Sequence, residues 1–203
     1  MKRCATQRIV IAAHEAGHVV AIALTKTLQL GDFTWHRLRD YEIIYAEPKE
    51  VSKCQWEDGA SRNALIAHQA AVALAGGAAE RVMSAAPEGL DTVNSIHEQV
   101  GKVDFELAHE WLTLQRYDPD QQALEREIQL LFSAVSELMR LHTEVLTEVT
   151  QRILTRLRLA DTRGENYLRF PATDLLENLD LKPDAVEFSL KATLKQNTDR
   201  RSA

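Results

Sequence analysis

One stretch near the start of the chain reads Arg8-Ile-Val-Ile-Ala-Ala-His14-Glu15-Ala-Gly17-His18-Val-Val-Ala-Ile-Ala-Leu24, and it contains the pattern H-E-x-x-H. Its apolar residues predict a helix. Residues four apart lie on one face of a helix, so His14 and His18 can offer two imidazole nitrogens to one metal ion. Zn²⁺ is suited to this, because it binds neutral imidazole in a tetrahedral shell. Glu15 then lies beside the metal, where a carboxylate can act as a general base toward water.

The surroundings of the motif strengthen the metal interpretation. Apolar side chains precede and follow it almost continuously, which predicts a helix that is buried nearly all round. They are Ile9, Val10, Ile11, Val19, Val20, Ile22 and Leu24. Burying two histidines and a glutamate is costly unless they have partners, and a metal ion is such a partner. The alternative is a metal-free helical adaptor in which the pattern occurs by chance.

Composition limits the class of protein. The chain has 203 residues, of which 45% are hydrophobic and 27% are charged, as in a globular protein of one large or two small domains. Its net charge of −6 argues against a nucleic-acid partner, and no apolar run is long enough to span a membrane. The two cysteines, Cys4 and Cys54, are too few for a disulfide framework. We therefore expect a cytoplasmic protein.

The first half of the chain predicts helices around a short β-hairpin. The expected elements are a helix from Ala5 or Thr6 to about Lys26, one or two strands within 33–47 that turn at Arg39-Asp40, and a helix from Asp58 or Ser61 to Leu74. Gly31-Asp32 is expected to break the first helix before the strands begin, and Pro48 to end the strand region. Gly76-Gly77 either ends the second helix, leaving a short helix over 78–84, or lets two elements approach closely.

The second half is predicted to be almost entirely helical. The expected elements are helices over about 91–116, 120–160, 171–179 and 184–195, a polar loop over 161–169 and a disordered tail over 196–203. The stretch 120–160 is long for one helix, so a bend or short break is expected in it. The prediction is a mainly α fold with a small β-hairpin near the motif. It forms one domain over 1–195, with its core in 5–160 and C-terminal helices over 161–195.

A catalytic zinc site usually has three protein ligands, so a third is needed beside His14 and His18. Asp104 lies on the apolar stripe of its predicted helix. That stripe consists of Val100, Val103, Leu107, Ala108, Trp111 and Leu114. A carboxylate among core positions needs a partner, and a metal bound by neutral histidines would be one. Glu80 and Asp91 remain alternatives, and the stripe favours Asp104 over Glu80.

Three blocks of the chain resemble the FtsH-type AAA metalloproteases. Residues 11–20, I-A-A-H-E-A-G-H-V-V, resemble the family's zinc motif, A-Y-H-E-A-G-H-A-V-V. Residues 72–81, V-A-L-A-G-G-A-A-E-R, resemble its V-A-L-G-G-R-A-A-E-E, and residues 103–108, V-D-F-E-L-A, resemble its N-D-L-x-x-A. The blocks occur in the family's order, and weaker similarity extends over about 8–160.

The resemblance implies a helical zinc-peptidase domain of the FtsH-like type. One Zn²⁺ per chain would be held by His14, His18 and Asp104, with Glu15 as the catalytic base. Glu80 matches an acid near the site in that family, which implies a supporting contact to the ligands. In the family, a substrate lies extended along an edge strand near the site. The stretch that contains Tyr41, Ile43 and Tyr45 is the candidate for this strand.

The implied function is that of a zinc metalloendopeptidase acting on peptides or unfolded protein segments. No G-x-x-x-x-G-K-[ST] loop occurs in the 203 residues, so the chain looks like a protease domain standing alone. A separate ATPase or adaptor is then a candidate partner, and a monomer and a small oligomer are equally compatible with the sequence. Gly77 and Val103 depart from the arginine and asparagine of the family blocks. The alternative is therefore a catalytically weak zinc-binding interaction module.

Overall fold

The structure, a computed structural model, describes residues 5–25, 27–38, 42–50, 59–84, 101–114 and 120–181. This part of the chain is mainly helical with a small three-stranded antiparallel sheet, which confirms the predicted mainly α class. The elements are α1 (Ala5–Leu24), β1 (Leu28–Arg37), β2 (Glu42–Glu50), α2 (Gly59–Met83), α3 (Lys102–Thr113), α4 (Gln121–Leu141), α5 (Thr143–Thr162), β3 (Tyr167–Pro171) and a 3-10 turn (Ala172–Leu175). Within the described ranges, no helix is long and apolar enough to cross a bilayer.

The motif helix α1 lies at the centre of the fold. It packs against α2, α5 and the β1–β2 pair. Its buried apolar side chains are Ala12, Ala13, Ala16, Val19, Val20, Ala21, Ile22 and Leu24. Ile9 and Val10 are exposed, so the prediction of burial all round is wrong for the start of the helix. The part that carries and follows the motif is enclosed by the other elements.

The contact between α1 and α2 is close because both helices have glycine in it. A methyl group added to Gly17 would lie 2.3 Å from the Ala75 carbonyl oxygen, and one added to Gly76 would lie 2.4 Å from His14 Nε2. Neither distance admits a side chain without displacement of the neighbour. α2 runs without interruption through Gly76 and Gly77, so the predicted helix break is wrong and the alternative, a close approach of two elements, is confirmed.

The sheet has the strand order β2–β1–β3, and both pairs are antiparallel. The predicted strand pair is confirmed, whereas its predicted turn at Arg39-Asp40 lies outside the described residues. Gly31-Asp32 lies within β1, at a bulge between Leu30 and Phe33. It does not end the first helix, which already ends at Leu24. β2 continues through Pro48, as an edge strand can, because one side of its backbone needs no strand partner.

One face of the sheet packs on the helical core. Phe33 and Trp35 of β1 are fully buried there, opposite Phe170 and Leu168 of β3. On β2 the buried residues of this face are Ile44 and Ala46. The other face carries the side chains that alternate with these along each strand.

The segment after α5 differs most from the prediction. Instead of a loop over 161–169 and a helix over 171–179, α5 extends to Thr162 and the chain then forms β3 and the 3-10 turn. The alternation of apolar and polar residues in Tyr-Leu-Arg-Phe-Pro is the signal for β3, but it covers only five residues. The predicted helix over 184–195 and the predicted tail over 196–203 lie outside the described residues.

The remaining helices confirm one prediction and correct another. The long stretch after residue 120 is divided at His142, which confirms the expected break. In α3, Ala108 and Leu112 are the buried residues, and Trp111 is partly buried against the core. Of the other predicted stripe residues, Val103, Leu107 and Leu114 are exposed, and Val100 lies outside the described part of the chain. The physical reason is that α3 packs on α2 and α4 along a side centred on Ala108, so the apolar stripe is only partly covered.

A cluster of four charged side chains connects α1, the sheet and α5. Arg8 of α1 donates to Glu42 of β2 at 2.7 and 3.2 Å, and also to Asp161 of α5. Arg37 of β1 donates to the same two carboxylates. Burial raises the pKa of Glu42 and of Asp161, but the hydrogen bonds from the two arginines outweigh it and lower both pKa values.

We expect this four-charge cluster to contribute stability that is lost in acid. A carboxyl group with a lowered folded-state pKa stabilises the protein above its unfolded pKa, and the contribution is lost as pH falls through the folded value. The side chains are partly exposed, so we expect the cluster to contribute about 1 kcal/mol at neutral pH. Glu42→Gln should therefore have a lower free energy of unfolding than the parent at about pH 7, and the difference should shrink toward about pH 3.

Denaturant unfolding at several pH values measures this difference. Glu110→Gln, on the exposed side of α3, is the matched control and should follow the parent at every pH. Equal stability of Glu42→Gln and the parent at neutral pH would contradict a stabilising role for the cluster.

Candidate metal centre

Two helices bring three potential metal ligands together. His14 and His18 lie one turn apart on α1, and Asp104 lies in the first turn of α3. Their ligand atoms all lie within 4.8 Å of one another. His14 Nε2 is 2.8 Å from Asp104 Oδ2, and His18 Nε2 is 3.7 Å from the same oxygen. The three predicted ligands thus form a group that could hold one metal ion.

The second nitrogen of each histidine is anchored by an acceptor on α2. His14 Nδ1 donates to Glu80 Oε1 at 2.7 Å, and His18 Nδ1 donates to the Val72 carbonyl oxygen at 2.8 Å. Carboxylate and carbonyl oxygens only accept, so both Nδ1 atoms carry a proton and the Nε2 atoms are directed toward Asp104. Metal-binding histidines typically have such a second hydrogen bond, because it fixes the tautomer and the orientation of the ring.

The site favours positive charge. Burial alone lowers the pKa of His14, but hydrogen bonds to Asp104 and Glu80 outweigh it and raise the pKa to about 10. Burial alone raises the pKa of Asp104, but the hydrogen bond from His14 and the neighbouring His18 hold that pKa well below its usual range. A proton and a divalent cation therefore compete for the same atoms.

Glu15 is buried beside this group, with 7% of its surface exposed. The backbone amide of Ala46 on β2 lies near the Glu15 carboxylate, whose Oε2 atom has no partner within the described structure. Burial raises the pKa of Glu15, and the neighbouring His18 and His14 and the Ala46 amide oppose the rise. A buried oxygen that makes no hydrogen bond is costly, which favours a role in accepting a proton from a small bound molecule.

The local sequence explains how α3 presents Asp104. Gly101 precedes the helix with a φ of 85°, a left-handed conformation that glycine adopts at little cost. The helix can therefore begin at Lys102 and place Asp104 in its first turn. The positive end of the helix dipole favours an ionised carboxylate there.

The other predicted site residues lie around this group. Glu80 contacts His14 Nδ1, on the side of the ring opposite Asp104. This position agrees with a supporting contact to a ligand and not with a direct metal ligand. Asp91, the further alternative ligand, and Tyr41 lie outside the described residues. Ile43 and Tyr45 lie on β2 and are exposed on the face of the sheet that is turned away from the core.

Three contributions to the site were not predicted from the sequence. The Val72 carbonyl and the Ala46 amide are backbone groups, and backbone groups give no residue-specific signal. The contact between Gly76 and the His14 ring had a signal, because paired glycines within an apolar helix indicate a close approach. The paired glycines did not indicate that the approaching group is the ring of His14.

Comparison with known proteins adds no family assignment. The sequence matches no protein-family model, and no curated protein sequence is significantly similar to it. The resemblance to the FtsH-type proteases therefore rests on the three sequence blocks quoted above.

Replacing Glu80 by glutamine should weaken metal binding without unfolding the protein. The amide has the same size and its oxygen can still accept from His14, but it lacks the negative charge that makes the imidazole a stronger ligand. We expect the affinity for Zn²⁺ to fall by about 10- to 100-fold. Competition with a chromogenic chelator measures the affinity, and Glu106→Gln is the matched control because that side chain is 57% exposed. Equal affinities of the three proteins would contradict a supporting role for Glu80.

Replacing Gly76 by alanine should displace His14 while the fold is retained. The new methyl group would meet the ring of His14, a side chain that can rotate away. We expect at least a tenfold loss of Zn²⁺ affinity, on the order of what a disturbed ligand costs. In Gly17→Ala the methyl group meets the Ala75 carbonyl, which is backbone, so thermal stability should fall instead. Metal analysis and thermal unfolding of both variants measure this contrast, and Gly76→Ala that binds zinc like the parent would contradict it.

Proposed function

We propose that the chain is a zinc-dependent endopeptidase of FtsH-like type that hydrolyses peptides or unfolded protein segments. The observation that carries the proposal is the group of His14, His18 and Asp104 beside the buried Glu15. Further support comes from the three FtsH-like blocks, since each block supplies residues to this one site. The first block supplies the motif on α1. The second supplies Val72, Gly76 and Glu80 on α2, and the third supplies Asp104 on α3.

The donor set fits Zn²⁺. Two imidazoles and one carboxylate, with a fourth position for water, is a common composition of catalytic zinc sites. Both imidazoles donate through Nδ1 to groups on α2, which leaves Nε2 for a cation. The unpartnered Oε2 of Glu15 is the acceptor for a water proton that such a site requires.

In the proposed mechanism Glu15 moves the proton. Zinc bound by the three side chains would supply Lewis-acid activation of water and of the scissile carbonyl group. Glu15 accepts a proton from the attacking water and then donates it to the leaving amine. Burial raises the pKa of Glu15, which makes its carboxylate a stronger base for the first of these transfers. The Ala46 amide holds the carboxylate in place, so less rearrangement is needed during the reaction.

β2 is the proposed substrate strand. Among the described residues it pairs only with β1, so an extended peptide can add to its other edge. Main-chain hydrogen bonds at that edge would hold the peptide near Glu15, because Ala46 of the same strand contacts Glu15. The proposed substrates are peptides or segments that are already unfolded. A separate ATPase or adaptor is the proposed partner for folded substrates.

A zinc-binding interaction module without turnover is the second candidate function. The observation that favours it is the exposure of Val103 and Leu107 on α3, at 75% and 42%, next to Asp104. Exposed apolar side chains on a helix fit a contact with another protein. Turnover by zinc-loaded protein distinguishes the two functions.

The test is Glu15→Gln. Glutamine retains the shape of the side chain but cannot accept the proton, so we expect one zinc ion per chain and a loss of hydrolysis of about 10²- to 10⁴-fold. Cleavage of unfolded casein and of a fluorogenic peptide measures the rate, with Glu110→Gln as the control. The proposal is wrong if Glu15→Gln cleaves casein as fast as the parent. Zinc-loaded parent that binds the metal and cleaves nothing would favour the interaction module.

A further inference from the structure

The pairing of the three strands fixes which backbone groups of β2 face outward. In an antiparallel ladder, the N–H and C=O of one residue point to the same side, and the side alternates along the strand. On β1 the Arg37 N–H donates to the Asn166 carbonyl before β3, so the backbone groups of Arg37, and by alternation those of Trp35 and Phe33, point toward β3. Their partners on β2 are Glu42, Ile44 and Ala46, whose N–H and C=O groups therefore point away from β1. Alternation then directs those of Ile43 and Tyr45 toward β1.

β2 lies along the motif helix. Arg8 of α1 contacts Glu42 at the start of the strand, and Glu15 contacts Ala46 four residues later. The helix and the strand therefore run alongside each other in the same direction. Ile44 lies between these two contacts along the strand, so a peptide bonded to its outer edge lies near the site.

The outer face of the sheet carries apolar side chains at this edge. Ile43 is 39% exposed and Tyr45 is 41% exposed, although both are large and apolar or aromatic. Their cross-strand neighbours on the same face of β1 are His36 and Thr34. On the open side, the described structure places no strand next to either residue.

If a peptide pairs antiparallel with β2, the ladder determines which of its residues lie next to Ile43 and Tyr45. A peptide residue that exchanges both hydrogen bonds with Ile44 has its side chain on the core face, next to Ile44. The peptide residues before and after it lie opposite Ile43 and Tyr45, in the closer non-hydrogen-bonded positions, with their side chains on the outer face. These two peptide residues are separated by one residue in sequence.

From this geometry we infer that β2 selects peptides with two large apolar or aromatic residues separated by one residue, which pack on Ile43 and Tyr45. The inference rests on the proposed function and specifies its substrate class. Cross-strand aromatic and aliphatic pairs are favourable by an amount that corresponds to a preference of about two- to fivefold for each pair.

A peptide scan tests the inference. In a serine- and glycine-rich fluorogenic peptide with one cleavage site, mapped by mass spectrometry, a single phenylalanine is moved one position at a time. With the zinc-loaded parent, kcat/KM should be highest at two positions separated by one residue, and lower by about two- to fivefold at the position between them. The same series is measured as affinity with zinc-loaded Glu15→Gln, by fluorescence anisotropy, and should show the same two positions without turnover.

Variants on the outer face of the sheet identify the contact. Tyr45→Ser should remove the preference at one of the two positions. Tyr167→Ser is the matched control, because Tyr167 is 52% exposed on the same face but lies on β3, at the opposite edge of the sheet. It should retain both preferences, and circular dichroism should show both variants folded.

The outcomes separate the inference from the proposed function. Cleavage or binding without the two-position pattern, or with a pattern that Tyr45→Ser leaves unchanged, would overturn the inference while the endopeptidase proposal stands. Failure of the zinc-loaded parent to cleave any peptide would overturn the endopeptidase proposal. In that case the affinity series decides whether β2 selects its ligand in this way.

Discussion

The site depends on how closely α1 and α2 approach each other. Packed helices usually lie 8–10 Å apart, and small residues at the contact permit a shorter distance. Here Gly17 meets the Ala75 carbonyl, and the His14 ring lies against Gly76. Val72, Gly76 and Glu80 are spaced by four residues on α2, so they lie along one face, as the two histidines do on α1. The contact that packs the core therefore also orients the two imidazoles.

This arrangement gives the site an excess of negative charge. Glu80, Asp104 and Glu15 are three carboxyl groups around His14. With neutral histidines and ionised acids their sum is −3, and a divalent cation would reduce it to −1. Concentrated negative charge in a partly buried position is unfavourable without such compensation. These carboxylates raise the pKa of His14, so its imidazole holds a second proton. A bound cation would replace that second proton.

The sequence predicts those features of the fold and the site that depend on neighbouring residues, and it does not predict those that depend on contacts between distant parts of the chain. The helix and the pairing of His14 with His18 followed from a spacing of four residues, which needs no tertiary information. The apolar stripe that predicts Asp104 as a ligand is only partly a core stripe, because Val103, Leu107 and Leu114 on it are exposed. The rotation of α3 about its axis is set by its packing on α2 and α4. β3 has five residues and is stabilised by pairing with β1, more than 130 positions earlier in the chain, so local propensity could not reveal it.

β2, the proposed substrate strand, is attached to the helix that carries Glu15, the proposed base. Two contacts attach the strand to α1, from Arg8 to Glu42 and from Glu15 to Ala46. They span seven residues of helix (15 − 8), about 10 Å, and four residues of strand (46 − 42), about 13 Å. The two lengths are similar, so the strand can lie along the helix without a kink. A displacement of β2 would then move the peptide edge and release the Glu15 carboxylate together. In the proposed function, the position of the substrate and the transfer of the proton would both depend on α1, which also carries two of the three proposed metal ligands.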